Sequence, residues 1–283
     1  MTRTAISPRF ATSTFVNTPY RGRVDTGRAK GTVPGDRFSK REWVARTGST
    51  NTDLLAVARA GGPEQVLVAD EQTTGRGRLG RSWVAPPGAS LLCSILLRPD
   101  IPAGEAGCLT MALGVAATDA VAEVAGCRLG LKWPNDLVSV APGGDLKVSG
   151  MLSEAVLDGE RLAAVVLGIG INVNWPDELP AELAATATSL RHLVGRDIDR
   201  HLLLEALLAA FETRLDEPAT SLLEVYRKRC ATLGRRVRIE TTDGATEALA
   251  IDIDPDGALV VESASGVRRS VFAADIVHLR PLS

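Results

Sequence analysis

Apolar residues recur along this chain with two different periods, and the switch between them marks out its elements. Short apolar runs suited to strands occur at Val66-Leu67-Val68-Ala69, Leu91 to Leu97, Leu129 to Trp133, Val148 to Val156 and Leu162 to Val173. Elsewhere the spacing becomes helical. Leu113, Ala116, Ala117, Ala120, Val121 and Val124 share a face within 105–125, as do Leu202, Leu203, Ala206, Leu207, Ala210 and Phe211 within 200–215. A shorter helix is outlined by Leu54, Leu55, Val57 and Ala58, behind Thr47-Gly48-Ser49-Thr50-Asn51, whose side chains suit a helix cap. Strands interspersed with helices predict an α+β fold, a mixed sheet with helices against one side.

The texture changes from Leu233 onward. Short alternating runs at 237–240, 248–253, 258–262 and 270–272 are punctuated by Asp243-Gly244, Asp256-Gly257 and Ser265-Gly266, a hairpin pattern that predicts a small β-barrel over 233–283. Residues 1–42 are rich in Thr, Arg, Ser, Pro and Gly without a sustained apolar period, and are expected to form a disordered extension. The same composition also fits an organelle transit peptide. The catalytic unit is expected to span 43–232.

Composition narrows the function. The 283 residues carry a net charge of −2, which argues against gripping a nucleic-acid backbone as the main task, since that needs an excess of Lys and Arg. Cys93, Cys108, Cys127 and Cys230 lie far apart with no metal-ligand or CxxC spacing, so they read as small buried hydrophobes of a cytoplasmic, reducing environment. The longest apolar stretch, Cys108 to Ala125, is broken by Asp119 and Glu123 and reads as a packed helix, not a membrane span.

Four segments place residues costly to folding at the ends of predicted strands. Gly75-Arg76-Gly77-Arg78-Leu79-Gly80-Arg81, after Gln72, combines close-packing glycines with planar cationic donors suited to carboxylate and phosphate oxygens. Taken alone, it could equally be a flexible turn or a nucleic-acid segment. Leu131-Lys132-Trp133-Pro134-Asn135-Asp136 runs a strand into a turn presenting an amide and a carboxylate, with Trp133 expected in the core and Lys132 in a scaffold ion pair. Lys147-Val148-Ser149-Gly150-Met151-Leu152-Ser153-Glu154 carries a lysine into an apolar strand, a position more often held by a snorkelling surface residue. Gly168-Ile169-Gly170-Ile171-Asn172-Val173-Asn174 holds asparagines that need hydrogen-bond partners in a core.

In this order, and with Ser49-Thr50-Asn51 ahead of them, these segments resemble the biotin protein ligase family over roughly Val44 to Arg280. One departure is Lys147-Val148-Ser149-Gly150, where the family usually has Lys-Leu, a small residue and Gly; Asp145 and Gly143-Gly144 lengthen the turn before it. The resemblance implies a class II synthetase-like catalytic domain followed by an SH3-like barrel. It also implies a reaction in which biotin and Mg-ATP give biotinyl-5′-AMP, whose acyl group passes to a lysine of the biotin carboxyl carrier domain of an acyl-CoA carboxylase.

By that resemblance Ser49, Thr50, Asn51, Gln72, Gly75, Arg76, Lys147 and Gly150 would surround biotin. Arg78, Trp83, Lys147, Asn135 and Asn172 would contact ATP or the adenylate, with Trp83 stacking on adenine. Lys147, Arg78 and Asp136 would carry the chemistry, and Mg²⁺ would be held mainly by the nucleotide phosphates. The enzyme is expected to be a monomer or homodimer engaging neither DNA nor membrane. Some members also repress transcription through an N-terminal helix-turn-helix of about 60 residues, for which the aperiodic start is too short. Lipoate protein ligase is the nearer alternative, although none of His192, His201 and His278 adjoins the Gly-rich loop. The terminal barrel has too few aromatics, only Phe272, for a proline-recognition groove.

Overall fold

The computed structural model describes residues 37–141, 144–159, 161–241, 244–273 and 278–281. Most of the expected extension, and Gly143, Asp243 and 274–277, therefore lie outside the described residues. The folded unit begins before Trp43: Phe38 is buried and stacks on Phe211 with ring centroids 5.8 Å apart, and the first strand starts at Arg41.

Seven strands form the larger sheet: β1 (Arg41–Thr47), β2 (Gln65–Gln72), β3 (Ser90–Leu97), β4 (Gly130–Lys132), β5 (Asp136–Ser139), β6 (Leu146–Asp158) and β7 (Arg161–Asn172). Their order is β1-β2-β3-β7-β6-β5-β4, with only β1 and β2 parallel, so the sheet is mixed. Among the described residues six α-helices accompany it: α1 (Thr50–Arg59), α2 (Gly107–Ala125), α3 (Ala181–Ala184), α4 (Leu190–Val194), α5 (Arg200–Leu215) and α6 (Ala219–Arg229). Sequence reading missed α6, whose buried stripe is only Leu222, Leu223 and Tyr226 among charged neighbours.

Side chains of a strand alternate between faces, and here both faces are covered. Val66, Val68, Leu91, Cys93, Ile95, Leu97, Val165 and Leu167 join the main core with α2 and α5. The intervening Leu67, Leu96, Ala164 and Val166 pack instead against Leu54, Leu55 and Ala58 of α1. The expectation of helices on one side only is thereby corrected. Short buried runs carry no sign of which face a neighbouring helix takes.

Helix α2 is apolar on nearly all sides because it is wrapped by the sheet, α5 and α6, and it stops at Gly126 in the left-handed conformation. By length and composition it could cross a membrane, yet most of it is buried inside the protein. Asp119, which interrupts its apolar run, anchors the outer helices: its carboxylate takes Arg214 of α5 at 2.7 Å and Arg229 of α6 at 2.6 Å.

The C-terminal sheet contains β8 (Arg236–Thr241), β9 (Gly244–Ile253), β10 (Leu259–Glu262), β11 (Arg268–Val271) and β12 (His278–Pro281), antiparallel in the order β11-β10-β9-β8-β12. Its inward residues Val237, Ile239, Ala250, Leu259 and Val261 continue the main core. Polar ties reinforce the junction. The Trp133 indole donates to Gly257 O at 2.9 Å, and the Arg227 guanidinium donates to Ile253 O at 2.5 Å.

Replacing Phe38 by Ala removes a ring that lies against Phe211 and leaves a cavity in the main core. We expect this substitution to cost about 3 kcal/mol in urea unfolding. A loss below about 0.5 kcal/mol would place Phe38 outside the cooperative core.

Candidate active site

The face of the sheet toward α1 changes character halfway along. Where α1 ends its cover, the strands present Ser94, Gly168, Gly170 and Gly150, so apolar side chains give way to bare backbone. Register makes these positions neighbours: Ser94 pairs with Gly168, and Gly170 pairs with both Leu92 and Gly150. Above this floor lies a cleft of about 260 Å³.

Each glycine seats a specific partner. A Cβ on Gly168 would stand 2.2 Å from Asn51 Oδ1, and one on Gly170 would stand 2.5 Å from the Trp83 ring. A Cβ on Gly150 would meet Lys147 Nζ and Trp83 at 2.9 Å each. Real contacts of that length do not occur, so the three side chains lie where they do because the floor lacks Cβ atoms.

At one end the N-terminal turn of α1 is turned inward. Ser49 occupies the N-cap position but its hydroxyl makes no capping hydrogen bond, contrary to expectation, and it lines the cleft. Thr50 N–H donates to Gln72 Oε1 at 2.8 Å, and Asn51 Nδ2 donates to Leu152 O at 3.2 Å and Glu154 Oε2 at 2.9 Å. Ser94 and Glu154 belong to this cluster, and neither was expected among the ligand-facing residues. Ser94 could have been found: it is the polar residue inside an otherwise apolar strand, and such a residue needs a partner.

The Gly-rich segment is a hairpin folded over the cleft. Trp83 N–H donates to Gly75 O at 2.9 Å and Gly77 N–H to Arg81 O at 2.7 Å, and the tip carries Leu79 in the left-handed conformation (φ 57°). Gly75 is buried beneath the Trp83 backbone, where a Cβ would lie 2.5 Å from Trp83 O, and it does not line the cleft. The structure thus gives Gly75 a part in packing the hairpin. Arg76 does line the cleft and pairs with Glu154 at 2.9 Å.

The other end is cationic. Lys147 Nζ stands 2.7 Å from Asp136 Oδ1 and 5.4 Å from the Trp83 ring centroid. Its backbone is fixed by the segment before α4, with Lys147 N–H donating to Thr186 O and Thr188 N–H to Lys147 O, both at 2.9 Å. Arg78 reaches across to Asn135 Oδ1 at 3.3 Å and to Ala273 O, just past the end of β11 in the C-terminal unit, at 2.6 Å. Burial pulls its guanidinium below the ordinary value, with Asp136 opposing and Arg81 adding to the shift. A cation so placed gains from an anion that replaces lost water.

Asn135 is itself pinned, its Nδ2 donating to Met151 O at 2.7 Å. Lys132 and Arg81 also line this end. Lys132 makes no ion pair among the described residues, so its expected scaffold role is replaced by a place in the cleft wall. Trp133 is core, as expected.

Asn172, expected near the nucleotide, is 2% exposed and lies outside the cleft lining. Its amide donates to Thr188 O at 3.0 Å and Lys147 O at 3.4 Å, which braces the strand end that carries Lys147. Cys93 lies under the floor, where burial pushes its thiol up to about 12, so it is no nucleophile at neutral pH.

The floor makes a direct prediction about Trp83. Gly170→Ala should drive the indole out of its seat and red-shift tryptophan emission, whereas the same change in a Trp83→Phe background should leave emission unaltered. An identical shift in both backgrounds would mean that the added methyl acts elsewhere.

Comparison with known proteins agrees with this arrangement. Residues 43–172 match the biotin/lipoate A/B protein ligase family, and residues 232–279 match the biotin protein ligase C terminal domain. The biotin–[acetyl-CoA-carboxylase] ligase of Mycobacterium tuberculosis is 39% identical over 256 residues, covering 87% of this chain and 91% of its own. The bifunctional ligase/repressor BirA of Bacillus subtilis is 35% identical over 234 residues, covering 81% of this chain and 70% of its own. The structure of the Aquifex aeolicus biotin protein ligase in complex with biotin and ATP superposes with a TM-score of 0.72 at 27% identity, over 87% of this chain and 100% of that one. With one match falling on the sheet that bears the cleft and the other on the C-terminal unit that Arg78 touches, the chain belongs to the biotin/lipoate A/B protein ligase family, among its biotin protein ligases.

Proposed function

We infer that this chain is an ATP-dependent ligase that activates biotin as biotinyl-5′-AMP and transfers it to a lysine of a carboxylase subunit. One observation carries the assignment of steps to residues. A single glycine floor connects a neutral, hydrogen-bonding end at Thr50 and Gln72 with a cationic end at Lys147, Arg78 and Lys132. Biotin has the matching polarity, with a ureido group at one end and a carboxylate at the other.

A carboxylate is a poor electrophile at neutral pH, so its oxygen must first bond to the α-phosphorus while the bond to pyrophosphate breaks. Negative charge grows on the phosphoryl oxygens as this happens, and a fixed cation stabilises that state more than the reactants. Lys147 is the cation for this step. Its partner Asp136 holds it over Gly150, and an incoming phosphate oxygen competes for the same ammonium. Once Lys147 is engaged by phosphate, the Asp136 carboxylate is released to take the proton of the acceptor lysine. The lysine nitrogen then attacks the acyl carbon and AMP departs.

The hairpin covers a reactive anhydride, and Arg78 fastens it on Asn135 and the Ala273 carbonyl. Trp83, seated on Gly150 and Gly170, walls the region between the two ends, and adenine stacks against its other side. Mg²⁺ would enter as part of the Mg-nucleotide substrate, with Asn135 and Asp136 as oxygen donors beside it. We place the enzyme in the cytoplasm, as a monomer or homodimer acting on the biotin carboxyl carrier domain, with no DNA or membrane among its partners. Its free cysteines and net charge of −2 support that setting.

Lys147→Ala is expected to slow biotin-dependent pyrophosphate release by about 100-fold or more. A near-normal rate would remove Lys147 from the first step. Arg78→Gly unfastens the hairpin and should let the adenylate escape, raising biotin labelling of a bystander protein such as albumin; no increase over the unmodified enzyme would count against the fastening role.

A further inference from the structure

The polar end of the cleft is wired to a carboxylate two side chains away, and the wiring has a direction. Glu154 accepts from Arg76 and from Asn51 Nδ2, which also donates to Leu152 O. Both partners of that nitrogen are acceptors, so the Asn51 amide has a single allowed orientation and its Oδ1 points at Ser94. Ser94 Oγ donates to Asn51 Oδ1 at 2.5 Å and has then spent its one proton. Thr50 Oγ1, 2.7 Å from Ser94 Oγ, must supply the proton of that contact. The same hydroxyl is also placed to donate to Gln72 Oε1 at 3.1 Å, but its single proton goes to the shorter contact with Ser94; Gln72 Oε1 accepts from the Thr50 backbone N–H at 2.8 Å, which orients it. With the Thr50 proton drawn toward Ser94, two oxygens face each other and share no hydrogen. The chain is one proton short at the end where it meets the cleft.

We propose that Glu154, acting through Asn51 and Ser94, sets Thr50 Oγ1 and Gln72 Oε1 as acceptors in the cleft, so that these three residues determine specificity for a substrate presenting an N–H there. The proposal rests on the reading of this end as the site of the biotin ureido group. A ureido N–H fills the deficit, whereas a dithiolane ring has no N–H to give. Selectivity of this kind is steep, because a buried acceptor without a donor keeps its full desolvation cost. Glu154 and Asn51 are positioning residues here. They act through Ser94 on the atoms that would meet the substrate.

The test compares biotin with its two cyclic carbamate isosteres, each with one ring N–H replaced by oxygen, by calorimetric titration of the whole chain. The unmodified enzyme should bind at least one isostere about 100-fold more weakly than biotin, an acceptor having been set against acceptors. In Ser94→Ala the Thr50 proton is free to turn to Gln72, so the discrimination should fall to within about threefold while biotin itself weakens by about 10-fold. Glu154→Gln weakens one of the two acceptors that fix the Asn51 amide and leaves the Leu152 carbonyl, so it should give an intermediate discrimination, which keeps the test alive if the alanine variant folds poorly. Equal discrimination in the unmodified enzyme and both variants overturns the relay, as does weakening of biotin and isosteres by the same factor. Failure of the unmodified enzyme to bind biotin at all would instead overturn the functional reading on which the relay rests.

Discussion

Everything at this site depends on three places in a β-sheet where there is no Cβ atom. Gly168, Gly170 and Gly150 adjoin one another on strands β7 and β6, and the space they forgo is taken by Asn51, Trp83 and Lys147. A sheet face normally buries side chains against a helix, and this one does so wherever α1 covers it. Beyond α1 the same face offers Ser94 and the bare backbone of the three glycines, which allows a flat ligand and its partners to approach the strands directly. The lost burial is compensated on the opposite face, where α2, α5 and α6 close a continuous apolar core.

The charges are arranged so that none of the main actors is idle. Lys147 is held by Asp136, Arg76 by Glu154, and Arg78 by Asn135 and the Ala273 carbonyl. These pairs keep cations poised over a cleft without leaving them bare, and each can be exchanged for a phosphate or carboxylate oxygen. The contact of Arg78 with the Ala273 carbonyl gives the small C-terminal unit a physical part in the site, since the hairpin tip is fastened partly to it. In the reaction we propose, activation and transfer share one pair: Lys147 would serve the first and, once engaged, release Asp136 for the second.

Much of this was legible in the sequence because the residues involved are poor choices for folding alone. Glycines inside apolar strands, a lysine entering one and arginines among glycines each called for a reason, and most of these residues meet at the cleft. What escaped notice was carried by geometry. Gly75 looks like its neighbours in the loop but is spent on the hairpin, and Asn172 sits two residues beyond Gly170 yet is drawn into the backbone beside Lys147. The placement of α1 on the face opposite α2 depends on which alternate residues each helix covers, and fully buried strands do not record that. Ser94 and Glu154 matter through the direction of their hydrogen bonds, a property of the assembled network.

The most direct test of the account is to mix the enzyme with biotin and Mg-ATP, without any acceptor protein, and identify the bound nucleotide by mass spectrometry. The account predicts biotinyl-5′-AMP in near-stoichiometric amount, retained beneath the hairpin. Recovery of ATP and biotin alone, unlinked after prolonged incubation, would contradict it.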